Sequence, residues 1–195
     1  MRILALSTAS PALSLALFDQ GQLVGHRHDV IGRGHAEALM PGIAALMDSG
    51  RADAIIVDVG PGSFTGIRIG IAAARALGLA WGVPVTGCTG AALVAAQALA
   101  LQPGLAAVTV LLDAGRGQVL RQQIGADFSL GPIATIAPDA VPVAADTPCA
   151  GAMAPAGAIH HGQPDMAFAL HLPPAARAGP PQALYVRPPD AVLPL

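Results

Sequence analysis

The stretch AIIVDVGPGSFTGIRIG, residues 54–70, joins a buried strand to a helix through a loop almost free of side chains. Ala54 to Val59 is short, rich in β-branched residues and bounded by turn signals, as a strand covered on both faces should be. Thr65 stands where a helix N-cap belongs, and the glycines before and after it let backbone amides approach a docked group. Such a loop has two uses. It can cradle an anion at the helix N-terminus, with Gly62, Ser63, Thr65 and the neighbouring Arg68 as the contacts. It can equally serve close packing of the loop against the rest of the chain. The lysine of a P-loop and the spacing of a dinucleotide fingerprint are both missing.

Outward from this stretch the pattern is regular. Arg2 to Ser7, Leu13 to Phe18 and Leu23 to Asp29 read as three strands of a meander, turned at Ala9-Ser10-Pro11 and Asp19-Gln20-Gly21. His35 to Ser49 reads as a helix, with Pro41 inside its first turns. After the glycine loop come a helix over Thr65 to Trp81, a short strand at Val85 to Gly87 and a helix over Ala91 to Leu101. Antiparallel strands followed by strands alternating with helices make a mixed α/β sheet.

A boundary at Gln102-Pro103-Gly104 divides the chain into residues 1–102 and a smaller unit, 103–195. Ala107 to Asp113 and Val119 to Gly125 pair across a Gly-rich turn and repeat the opening hairpin of the first unit. Many of the 18 prolines fall in residues 129–182. Met153 to His160 and Pro174 to Arg177 are the helical pieces expected there.

Composition narrows the function classes. The chain has 195 residues, 53% hydrophobic and 11% charged, which suits a globular protein with a sizeable core. No charge falls between Arg75 and Asp113, but glycines and prolines break that segment below the roughly 20 apolar residues a spanning helix needs. No export signal is apparent, so the expected location is cytoplasmic and no membrane partner is expected. Cys88 and Cys149 lack a CxxC spacing and read as thiols. All ten basic residues are arginines, scattered singly against twelve acids, and aromatics make up 3%. Neither a phosphate track nor a stacking platform results, so no strong direct binding of tRNA or other nucleic acid is expected.

Candidate catalytic sets are incomplete. Asp113 ends a strand before a Gly-rich turn and Ser7 ends the matching strand of the first hairpin, so the chain offers one strand-end carboxylate and not the pair that metal-assisted phosphoryl transfer uses. His26 and His28 share a strand face, yet no HxxxH or HExxH occurs and no metal site is expected. Ser63 is not in a nucleophile elbow and has no evident base. The helix over residues 65–81 carries Gly66, Gly70, Ala74 and Gly78 at i, i+4 spacing, a smooth stripe that another helix can approach closely. From spacing alone that neighbour is either the chain's own sheet or a partner. Arg68 and Arg75 share one face of the same helix, as solvated charges or as a pair reaching a carboxylate or phosphate.

Arg2 to Phe18, the GPGSFTGIRIG loop, Asp113 to Val119 (DAGRGQV) and Leu184 to Ala191 (LYVRPPDA) fall in the order found in the TsaB (YeaZ) family, which the chain resembles over roughly residues 1–125 and again at its tail. The resemblance implies an actin-like, Hsp70-like ATPase (ASKHA) fold with a reduced second subdomain. It implies a non-catalytic scaffold that dimerises with and activates TsaD, the subunit transferring threonylcarbamoyl to a tRNA adenosine, with a TsaE-like ATPase as a further partner and a second copy as partner when alone. His35, Leu39, Gly42, Ile43 and Leu46 on one helix and Thr65, Gly66, Ile67, Gly70, Ile71, Ala74 and Gly78 on the next are then the expected partner face. Gly62, Ser63, Thr65, Arg68 and Asp113 are the expected contacts of ATP or ADP at the subunit junction, with no nucleotide held tightly by this chain alone. Many members carry an aspartate where this chain has Ser7, which weakens any nucleotide chemistry. Two rival readings stay open, a small-molecule kinase or ATPase of the same fold and a self-contained structural homodimer.

Overall fold

The computed structural model describes residues 1–48, 50–141 and 148–186. Strands β1 (Arg2–Ser7), β2 (Ala12–Asp19) and β3 (Gln22–Val30) form an antiparallel meander. Strands β4 (Ala54–Asp58) and β5 (Val85–Cys88) then extend the sheet in parallel with β1, giving the order β3-β2-β1-β4-β5. Successive side chains of a strand point to opposite faces, and here both faces are covered. Leu4, Leu6 and Leu15 meet Leu39, Ile43, Ile67 and Ile71 on one side. Ile3, Ala5 and Phe18 meet Leu93, Met166 and Leu172 on the other. Burial on both faces explains why these strands read as continuous apolar runs.

The first face is covered by helices α1 (His35–Met47) and α2 (Phe64–Trp81). Helix α3 (Gly90–Leu101) covers the second and is buried from Gly90 to Ala98, because a second sheet lies on its far side. That sheet has β6 (Ala107–Gly115), β7 (Gln118–Gly125), β8 (Leu130–Ile136) and β9 (Cys149–Ala150), in the order β8-β7-β6-β9. Its meander with β9 parallel to β6 reproduces β3-β2-β1-β4 of the first sheet. Two copies of one pattern around a shared helix make a duplicated actin-like fold, with five strands in the first sheet and four in the second among the described residues.

The tail of the chain does not stay with the second sheet. The 3-10 turn Met166–His171 packs on the first sheet, Gly87 donates its amide to Gly179 O, and Leu184 donates its amide to Val59 O. The boundary expected at residues 102 and 103 thus separates the two sheets but not the packing of residues 164–186. Among the short pieces expected there, Pro174–Arg177 is a 3-10 turn, whereas Met153 to His160 forms turns and an isolated bridge rather than helix. Gly151, at φ 117, and Pro155 do not suit a helical run.

Candidate functional site

The glycine loop is fastened by the chain itself. Ser63, not Thr65, caps α2, its hydroxyl accepting the Gly66 amide at 3.2 Å. The Ser63 amide donates to Ala9 O at 2.7 Å, and the Thr8 hydroxyl donates to Gly66 O at 2.6 Å. A Cβ at Gly62 would collide with Ala9 O and one at Gly66 with Thr8 O. These two glycines are therefore required by the turn between β1 and β2, which passes directly over them.

The same logic settles the stripe along α2. A Cβ at Gly70 would lie 2.7 Å from Thr8 Oγ1 and close to Leu6 and Val57, and one at Gly78 would meet Val85. Gly66, Ile67, Gly70, Ile71, Ala74 and Gly78 are all buried on the chain's own sheet, as are Leu39, Gly42 and Ile43 of α1. The expected partner face is corrected accordingly: those residues are core, because the smooth side of α2 is the side that lets it sit close to β1 and β4. Of the remaining members, Leu46 is half-buried, His35 lies in the wall of a cleft and Thr65 is exposed at its rim. The outward faces of the two helices carry other residues. Met40 is 48% exposed and Leu79 87% exposed, and Ala44, Ala72 and Ala76 are exposed as well.

A cleft of 1170 Å³ opens at the ends of both sheets. It gathers every residue expected to contact an anion, Gly62, Ser63, Thr65, Arg68 and Asp113, although Arg68 and Asp113 come from different sheets' surroundings. Arg68 does not reach out alone. Its guanidinium stacks 3.8 Å from the Phe64 ring centroid, and its Nε donates to Tyr185 Oη at 2.9 Å. Arg75 leaves that arrangement and donates to Pro181 O at 2.7 Å. Asp113 is exposed, its Oδ1 accepting the Gly115 amide at 2.6 Å.

Asp58, the last residue of β4, belongs to none of the sequence's candidate sets. Its carboxylate is 1% exposed beneath the glycine loop, accepting the Ser7 hydroxyl at 2.7 Å and the Gly60 amide at 2.9 Å. Burial pushes its pKa up to about 6, and the hydrogen bonds from Ser7, Gly60 and Gly90 oppose that rise without cancelling it. The carboxylate missing from β1 is thus present in the same neighbourhood, supplied by the adjacent parallel strand. The signal was available, an acid closing an otherwise apolar strand. It lies below the loop rather than in the cleft, so Asp58 and Asp113 do not form an open metal-binding pair.

Cys88 and Cys149 are free, buried thiols whose pKa values burial raises, Cys88 also by the charge of Asp58. No helix among the described residues is long and apolar enough to cross a membrane.

Comparison with known proteins agrees with the geometry. Residues 28–148 match the sequence family described as TsaD, tRNA N6-adenosine threonylcarbamoyltransferase. An uncharacterized protein of Mycobacterium tuberculosis is 38% identical over 166 residues, 82% of this chain and 73% of that protein. The tRNA threonylcarbamoyladenosine biosynthesis protein TsaB of Escherichia coli is 35% identical over 124 residues, covering 61% of this chain and 53% of the relative. The structure of YeaZ from Pseudomonas aeruginosa superposes with a TM-score of 0.74 at 30% identity, covering 88% of this chain and 89% of that one. With the duplicated sheets, the fastened glycine loop and these matches, the chain belongs to the TsaB (YeaZ) family, within the wider sequence family that includes TsaD.

Proposed function

We propose that this protein acts in forming threonylcarbamoyladenosine in tRNA as a non-catalytic subunit that pairs with a TsaD-type transferase and holds it in a competent state. The observation that carries this reading is the pair of large apolar side chains left exposed on the outward faces of the two helices, Met40 on α1 and Leu79 on α2. Small alanines flank both, so a partner helix can approach without steric obstruction. The inner faces of these helices are already spent on the sheet, and the outer apolar residues are what remains for a partner.

The cleft favours the same reading over a self-sufficient kinase or ATPase. Its lining carries two exposed carboxylates, Glu37 and Asp113, and two guanidiniums, Arg33 and Arg68, the latter already held by Phe64 and Tyr185. Metal-assisted phosphoryl transfer draws on ligands that converge on one ion, and among the described residues no group of three His, Cys, Asp or Glu side chains converges in this cleft. A nucleotide in this cleft would depend on groups from the transferase across the junction. A TsaE-like ATPase is a further partner in this reading.

Co-expression with the TsaD of the same organism tests the proposal. The two chains should co-purify as a heterodimer, and threonylcarbamoyladenosine formation should require both. Modification at full rate by TsaD alone, or a chain that stays a homodimer in the presence of TsaD, would rule it out.

A further inference from the structure

The face of the first sheet turned away from α1 and α2 carries metal-ligand side chains that the proposed function does not use. His26 and His28 of β3 stand opposite Ala16 and Ser14 of β2. Two residues apart on a strand, they share a face. The returning segment lays Asp165 over them from 139 positions away in sequence. A carboxylate oxygen of Asp165 lies 2.8 Å from His26 Nε2 and 3.7 Å from His28 Nδ1. One ligand atom from each of the three residues falls within 4.8 Å of the others.

A second observation is independent of this proximity. His28 Nδ1 is buried and has no hydrogen-bond partner. Buried polar atoms are normally satisfied, so an orphan aimed at a carboxylate calls for a missing group between them. An ion bound at about 2.0 to 2.1 Å by tetrahedral donors sets them about 3.3 Å apart, and the two distances above bracket that spacing. The carboxylate is also braced from outside. Ser14 Oγ donates to Asp165 Oδ1 at 3.1 Å and accepts the Met166 amide at 2.9 Å, while the Ala167 amide donates to Oδ1 at 2.9 Å. Outer contacts of this kind orient metal ligands.

We infer that His26, His28 and Asp165 bind a divalent transition metal ion, zinc by the chemistry of two imidazole nitrogens and one carboxylate oxygen, with water completing the coordination. The ion ties β3 to the returning segment. Gln163 and Pro164, immediately before Asp165, line the cleft. The ion therefore also fixes part of the cleft wall, and its role is structural.

The test uses the metal-stripped, tag-free full chain, titrated with Zn²⁺ by calorimetry and with Co²⁺ by visible absorption. One equivalent of zinc should bind, cobalt should give d–d bands that zinc bleaches, and saturating zinc should raise the melting temperature. His28→Ala should weaken binding by more than the roughly 10- to 100-fold that loss of an outer contact costs, and Ser14→Ala should weaken it about 10-fold. Because Asp165 also caps a turn, His28→Ala, whose Nδ1 makes no bond in the protein, decides the matter. His160→Ala, at a histidine already bonded to Val94 O and the Gly162 amide, should leave the affinity unchanged. Absence of stoichiometric zinc binding, or equal affinity in His28→Ala and the wild type, would overturn the inference.

Discussion

The Ser7 hydroxyl donates a hydrogen bond of 2.7 Å to the Asp58 carboxylate, joining the ends of two adjacent parallel strands under the glycine loop. β1 ends in a hydroxyl, Ser7, and the buried acid is on β4, one strand over and below the cleft floor.

The first prediction follows from that burial. The folded-state pKa of Asp58 is raised from 3.8 to about 6, so between these values the native state holds a proton that the unfolded chain has lost. Stability is then greater at low pH and declines as pH rises through this window, by about 3 kcal/mol from this group. Asp58→Asn removes the decline. In urea unfolding, the stability difference, variant minus wild type, should grow by about 2 to 3 kcal/mol between pH 4 and pH 7. A difference independent of pH would show that Asp58 does not titrate as its burial requires.

A second prediction separates the two sides of α2. Gly70→Leu places a side chain where Thr8 Oγ1 already lies 2.7 Å from the position of a Cβ. Forced repacking against β1 should cost about 1 to 3 kcal/mol or more. Leu79→Glu, at a position 87% exposed, should change stability by less than about 0.5 kcal/mol. Thermal unfolding of both variants checks this, and equal destabilisation would mean that the faces of α2 are misassigned.

The third concerns the stacked group at the cleft. Arg68 lies against Phe64 and bonds to Tyr185. A double-mutant cycle of Arg68→Ala with Tyr185→Phe should give a coupling of about 0.5 to 1.5 kcal/mol, the range of one partly exposed hydrogen bond. Additive effects would show the contact to be energetically idle.

A fourth addresses chemistry in isolation. With Asp58 buried beneath the glycine loop and no group of three metal-capable side chains converging in the cleft among the described residues, the purified chain should not turn over ATP, and Asp113→Ala should not alter its background rate. Turnover that survives stringent purification and vanishes in Asp113→Ala would restore the kinase or ATPase reading.

Much of the first sheet was legible because strands covered on both faces are unbroken apolar runs. Arg2 to Ser7 was read with its observed bounds, and the edges of α1 and α2 moved by one or two residues where Ser49 lies outside the described residues and Ser63 replaced Thr65 as the cap. The second sheet was less legible. Leu130–Ile136 is an edge strand with Gly131 and Pro132 inside it, and Cys149–Ala150 is two residues long, too short for any period to register. The tail motif runs from Leu184 to Ala191, and residues 187–191 of it lie outside the described residues. The stripe on α2 was visible, but periodicity gives the face and not what meets it. Asp165 could not be connected with His26 by spacing at all, since the fold alone brings them together.

If the exposed apolar side chains of α1 and α2 receive a TsaD-type subunit, Leu79, 87% exposed, is the residue whose change should break the pair. The most direct measurement is co-purification with TsaD and tRNA modification by the wild type and by Leu79→Glu, after confirming that the variant melts with the wild type. The account predicts that the folded variant loses both heterodimer formation and threonylcarbamoyladenosine synthesis. A folded Leu79→Glu variant that still pairs with TsaD and supports modification at the wild-type rate would contradict it.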